Sequence, residues 1–214
     1  MSKIINKIIK ILIASDFFLN LGWGLMGPIF AIFILQNVAA SSPLEAARVA
    51  GFAALFFWIT KSILQIPIGR YLDRNHGEVD DFWFMVIGTF VMGFVPLGYL
   101  FSSQPWHIYA LQVLHAVGAA LAVPSYSAIF TRHIDKGKEA LEWGSWSTFM
   151  GVGAGVSAGL GGVAVGFFGF LAVFIFVSAF TFLAASLLLV LKDQVLKSNK
   201  KVQRVPGEKY IIDP

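Results

Sequence analysis

Cysteine is absent from the 214 residues, which excludes a disulfide framework and a thiolate metal site. Charge is scarce: Asp, Glu, Lys and Arg together make 13% of the chain, against about 25% in a soluble domain. Histidine is rare too, and the four that occur, His76, His107, His115 and His133, have no metal-ligand spacing. No phosphate-cradling G-x-x-x-x-G-K-[ST] is present, and no Ser has a His and an acid placed to activate it. Neither catalysis nor a bound cofactor or metal is therefore expected. The basic residues are dispersed between apolar stretches, so the formal net charge of +4 does not point to nucleic acid. What the chain has in excess is apolar surface. With 57% hydrophobic residues and a mean hydropathy of +0.75, most of it must be solvated by lipid.

Six apolar segments can be cut out, at about 11–36, 46–69, 82–102, 106–130, 145–166 and 168–191. Each is near the roughly 20 residues a helix needs to cross a bilayer core. Backbone in hydrocarbon must satisfy its own hydrogen bonds, and runs this long do not alternate like barrel strands, so an all-α polytopic membrane protein is expected. Residues 1–191 form one transmembrane domain on this reading, and 192–214 a polar, basic tail lying against anionic lipid.

Orientation follows from Lys and Arg in short connections. Lys3, Lys7 and Lys10 precede the first segment, Arg70 and Arg74 follow the second, Arg132, Lys136 and Lys138 the fourth, and a basic tail the sixth; the opposite connections hold only Arg48. Both termini are expected on the cytoplasmic side of a cell membrane. A cleaved leader is the rival reading of the N-terminus, with Val38-Ala39-Ala40 before Ser41 as a small-residue site. An h-region is usually about 7–15 residues, whereas this run is longer and holds Asp16, Asn20 and Pro28.

Three patches together resemble one family. They are "SDFFLNLGWGLMGPIFAIFI" in the first segment, "GRYLDRNHG" after the second, and "GVGAGVSAGLGG" in the fifth. They are similar to the opening helix, the cytoplasmic loop signature G-x-L-A-D-R-x-G-R-R and the glycine-rich helix of major facilitator superfamily transporters. Gly69, Asp73 and Arg74 match the signature, while His76 stands at its second Gly; Gly151, Gly155 and Gly159 match the glycine-rich helix, with Val156 where drug antiporters have Pro. The fourth segment lacks the Arg that proton-coupled members carry, so proton-coupled drug export is not supported. The resemblance spans nearly the whole chain but half of the family's usual twelve-helix fold. It implies a six-helix half bundle of two inverted three-helix repeats, and a secondary transporter working by alternating access. The second bundle would come from a parallel homodimer or a separately encoded half. A non-transporting membrane assembly subunit is the alternative.

Within the segments, Asp16 is the costliest residue and so a candidate for function. Asn20 and Trp23 share its helix face. Lys61 lies at similar depth, where an Asp16–Lys61 ion pair and a Lys61 that snorkels to the interface are both compatible with the sequence. Gln112 and His115 are neighbours at i and i+3. The resemblance makes the first and fourth helices cavity-lining, so these faces are the expected contacts for a small-molecule or ion substrate; hydrogen-bonded glue between helices is the competing role for Gln112 and His115. Gly151, Gly155 and Gly159 form a small-residue ridge for helix packing. Asp73, by the resemblance, would approach the start of the partner's fifth helix as part of a gate.

Overall fold

A computed structural model describes residues 5–39, 42–74 and 78–195. His76 and Gly77, at the altered end of the signature, lie outside these residues, as do 1–4, Ala40, Ser41 and the tail from 196 on. Among the described residues there are five long helices: α1 (Lys7–Asn37), α2 (Pro43–Arg74), α3 (Glu78–Tyr99), α4 (Pro105–His133) and α5 (Glu139–Leu189). All five are long and apolar enough to cross a membrane.

The helices outrun the apolar segments because polar residues cap them. Asn6 accepts the Ile9 amide at the start of α1, the Ser42 hydroxyl accepts the Glu45 amide at the start of α2, and Pro105 opens α4. Each satisfies, or removes, a backbone donor that a helix start leaves unpaired. A consequence is that Gly69, Asp73 and Arg74 sit in the last turns of α2 rather than in a loop.

The fifth and sixth expected segments form one helical element, interrupted at Gly169, whose φ of 74° and ψ of 171° are non-helical. The contacts show what that interruption does. Trp146, Gly153 and Gly161 meet Asp16, Phe17 and Leu25 of α1 in turn. Beyond Gly169, Phe174 meets Phe33, Val177 meets Gly22, and the Ser15 hydroxyl donates to the Ala184 carbonyl at 2.9 Å. The first arm of α5 thus runs parallel to α1 and the second runs back along it, so α1 is held between the arms of a helical hairpin.

Helices α3 and α4 approach backbone to backbone, a side chain at Gly88 being blocked by the Gly118 carbonyl; α2 rests on α4 through Phe56 and Tyr109, 5.1 Å apart. Hydroxyls buried in this packing bond back along their own helices, Thr89 to the Met85 carbonyl and Thr181 to that of Val177, which removes the cost of an unpaired group. One apolar core gathers Phe33, Tyr99 and Phe174; a second, at the charged end, gathers Leu12, Phe82, Phe130 and Leu188.

The glycine ridge is not where the bundle closes. Gly151, Gly155 and Gly159 are exposed with nothing within 4 Å of an added Cβ. The stripe two residues out of phase, Gly153, Ser157 and Gly161, packs on α1 instead. Both stripes have small residues every four positions, and only the second faces α1.

Candidate functional site

Asp16 lies nine residues into α1, about 14 Å along the axis at 1.5 Å per residue. A carboxylate at that depth needs a partner, and the first arm of α5 provides one: the Trp146 indole N–H donates to Asp16 Oδ2 at 2.7 Å. Trp146 is positioned by Trp143, whose ring it meets edge-on at 5.5 Å, and Trp143 packs on Phe130 of α4 at 4.5 Å. These groups surround a cavity of about 230 Å³ between α1, α3, α4 and both arms of α5, lined by Asp16, Tyr126, Trp143, Trp146, Met85 and Met92 among others. The Tyr126 hydroxyl is buried there beside the Trp146 indole and Asp16.

Asn20 does not join this cavity. Its amide donates to the Asp16 backbone carbonyl at 2.8 Å and to Met150 Sδ at 2.9 Å, tying α1 to α5. Trp23, Gln112 and His115 line a different space, a groove of about 260 Å³ shared with Phe57 and Trp58 of α2. The His115 ring stacks on Trp23, centroids 3.9 Å apart and nearly parallel, with His115 Nδ1 and Trp23 Nε1 both buried and without a hydrogen-bond partner among the described residues. Of the expected six, Asp16 borders one space and Trp23, Gln112 and His115 the other, while Asn20 and Lys61 line neither. Between the two spaces lies an apolar layer of Leu19, Trp23, Phe57, Met92, Ala119 and Ala122.

No Asp16–Lys61 ion pair forms among the described residues. Lys61 instead holds its ammonium 5.0 Å from the Trp58 ring centroid and 5.9 Å from that of Phe57. Asp16 is engaged by Trp146, and the cation gains a cation–π contact one turn back on its own helix.

The signature residues divide as well. Gly69 and Asp73 line a groove of about 480 Å³ between the ends of α2 and α4. It shares Val123 and Ser127 with the Asp16 cavity, so the two spaces adjoin. Arg74 is exposed. Asp73 is exposed too, near enough to Asp81 of α3 for the two charges to interact; its expected contact is with a helix of a second bundle.

Sequence reasoning missed the polar network at this end. Asp81, fully buried in the first turn of α3, pairs with Arg132 of α4; Glu78 lies 3.6 Å from His133; and the Asn6 amide donates to the His133 carbonyl and to Asp135. In the connection between α4 and α5, the Asn6 amide and then Lys138 hold the Asp135 carboxyl below its ordinary pKa. The acidic run "EVDD" and the basic Arg132 were the available signals; read separately, they look like a solvated turn and a topological anchor. Among the described residues, no group of three metal-ligating side chains is placed to hold an ion.

Compared with known families, residues 12–211 match the one described as Major Facilitator Superfamily. No curated protein matches the chain.

Proposed function

The chain belongs to the major facilitator superfamily, and from that premise we propose that it is a secondary transporter of a small solute, with the Asp16 cavity as its substrate site. On this reading α1 to α4 and the two arms of α5 cross the cell membrane six times as two inverted three-helix repeats, with both termini cytoplasmic. Alternating access exposes the Asp16 cavity to one side at a time. A second copy of the chain, or a separate six-helix half, covers the open faces of α2 and of the first arm of α5. Those faces carry Trp58 at 59% exposure and Val156 at 54% beside the open glycine ridge, whose flatness suits close helix approach.

The observation that supports this reading best is a carboxylate held deep in the bundle by a single indole and bordering a cavity. The test is uptake of a broad solute panel by the purified chain in liposomes, compared with Asp16→Asn. Transport that disappears in the variant while its unfolding midpoint is unchanged is the expected result. No movement of any solute, with Asp16→Asn altering only stability, overturns it and favours the second reading, a non-transporting assembly subunit that uses the same open faces to bind other membrane proteins. Mass measured in native membranes tests the pairing: a strictly monomeric protein removes the homodimer.

A further inference from the structure

Resting on the transporter reading above, we propose that the Asp16 cavity takes a small organic cation, an ammonium group seated between the carboxylate and the surrounding aromatic faces. Among the described residues, Asp16 is the one carboxylate lining the cavity, and no Lys, Arg or His lines it. Only Oδ2 accepts a hydrogen bond, from Trp146; Oδ1 accepts none among the described residues. Two bases within the bundle are committed elsewhere, Arg132 to Asp81 and Lys61 to the rings of Trp58 and Phe57.

The walls select the same sign. Trp143, Trp146 and Tyr126 line the space, and aromatic faces attract cations through their quadrupole. An anion would meet Asp16 unscreened. A neutral solute would fill the space and leave the carboxylate without compensation in a low dielectric.

The donor set also separates an organic cation from a metal ion. A hard cation needs about six oxygen ligands. Here Asp16 is the one carboxylate among the described lining residues, and no group of three His, Asp or Glu side chains forms among the described residues; the Ser15, Thr89 and Ser127 hydroxyls donate to backbone carbonyls and so have no proton left for an anion. The Tyr126 hydroxyl, buried beside the Trp146 indole and Asp16, adds one more polar group to the lining next to the carboxylate. At about 230 Å³ the cavity is below the roughly 300–1,000 Å³ of sites for drug-sized molecules, which restricts it to a cation with few heavy atoms.

The experiment measures binding, so that it does not depend on transport. Calorimetry on the purified full chain compares choline with 3,3-dimethylbutan-1-ol, a neutral compound of nearly the same shape; tetramethylammonium and methylammonium extend the series. Choline or another ammonium is expected to bind more tightly than its neutral isostere by about tenfold or more. Asp16→Asn should erase that preference, and Trp143→Leu should reduce it. Equal affinity for charged and neutral members, no binding by any ammonium, or a preference that survives in Asp16→Asn overturns the proposal. The wild-type comparison decides the matter even if a variant does not fold. Charge-selective binding without liposome uptake would leave the cation site standing and remove the transporter reading. Asp16-dependent uptake of a neutral or anionic solute would do the reverse.

Discussion

Replacing Gly169 by alanine tests the reversal that organises the fold. Were α5 straight, its 51 residues would extend about 75 Å at 1.5 Å each, more than twice the roughly 30 Å hydrocarbon thickness of a bilayer. The reversal concentrates at one residue, whose φ of 74° and ψ of 171° belong to a region occupied almost only by glycine. Nothing lies within 4 Å of a Cβ built there, so alanine would meet no neighbour and its whole cost would be backbone strain, about 1–3 kcal/mol. Gly166 is the internal control, helical, equally open and three residues away. Alanine at that site should be neutral or stabilising by roughly 0.5–1 kcal/mol. Reversible unfolding in mixed detergent micelles, followed by circular dichroism, should therefore separate the two variants by about 1–4 kcal/mol. Should Gly169→Ala prove as stable as Gly166→Ala, the backbone does not take a positive φ there and the hairpin is wrongly placed.

Three further outcomes follow from the packing and the charged end. Gly88→Val should destabilise by about 1–3 kcal/mol in the same unfolding assay, because its side chain would fall on the Gly118 carbonyl and the Ala122 amide, which are backbone and cannot rotate away. Arg132→Leu strands the fully buried Asp81; losing one partner of a buried pair costs about 3–5 kcal/mol, and the 36% exposure of the Arg132 side chain places the result at or below the lower end. The Asp81→Leu, Arg132→Leu double variant should recover most of that loss. For Asp135 the sign runs the other way from a histidine: its folded pKa is lowered by the Asn6 amide and Lys138, so its contribution is present above the ordinary value of 3.8 and fades as the pH falls through the folded value. Wild type should thus exceed Asp135→Asn in unfolding midpoint at pH 6, with the gap closing in titrations carried below 3.8.

Particular residues show how far the sequence could be read. Hydropathy located the apolar stretches because burial in lipid leaves a composition signal in every residue of a span. It did not locate the helix ends, since Asn6, Ser42 and Gln104 are polar and lie outside the apolar runs they cap or adjoin. Asp16 stood out as a charge inside a hydrophobic run, whereas Trp146 did not: its indole N–H becomes significant only when the first arm of α5 is laid along α1, 130 residues away. The same limit explains the glycine stripes. Gly151, Gly155 and Gly159 and the set Gly153, Ser157 and Gly161 have identical periodicity, so their spacing predicts close packing for either; the direction of each face is a property of the assembled bundle. Asn20 and Trp23 show the converse error. A shared helix face placed them with Asp16, but one is drawn off by Met150 and the other by His115.

The division into two cavities bears directly on how a solute would travel. Leu19, Met92 and Ala122 belong both to the wall of the Asp16 cavity and to the apolar layer, while Trp23 and Phe57 belong to the layer and to the His115 groove. A solute at Asp16 cannot reach His115 while those side chains remain in contact. The layer's composition makes it separable at modest cost, because Ala119 and Ala122 bury little area and Met92 is unbranched and adaptable. Helix α1 supplies Asp16, Leu19 and Trp23 within eight residues, and it is gripped on both sides. One side of α1 approaches Ser157 and Gly161 at Gly24 and Leu25, and the other approaches Val177 at Gly22. Any tilt of α1 that parts Leu19 from Met92 must therefore carry an arm of the α5 hairpin with it. A ligand shifts such an equilibrium only through contacts that differ between its states, and the contact placed to differ is the Trp146 to Asp16 hydrogen bond, since a cation at Oδ1 neutralises the carboxylate whose other oxygen the indole holds. Ligand binding and helix movement thus share one bond, and weakening it with Trp146→Phe should loosen the tie between α1 and the first arm even when the cavity is empty.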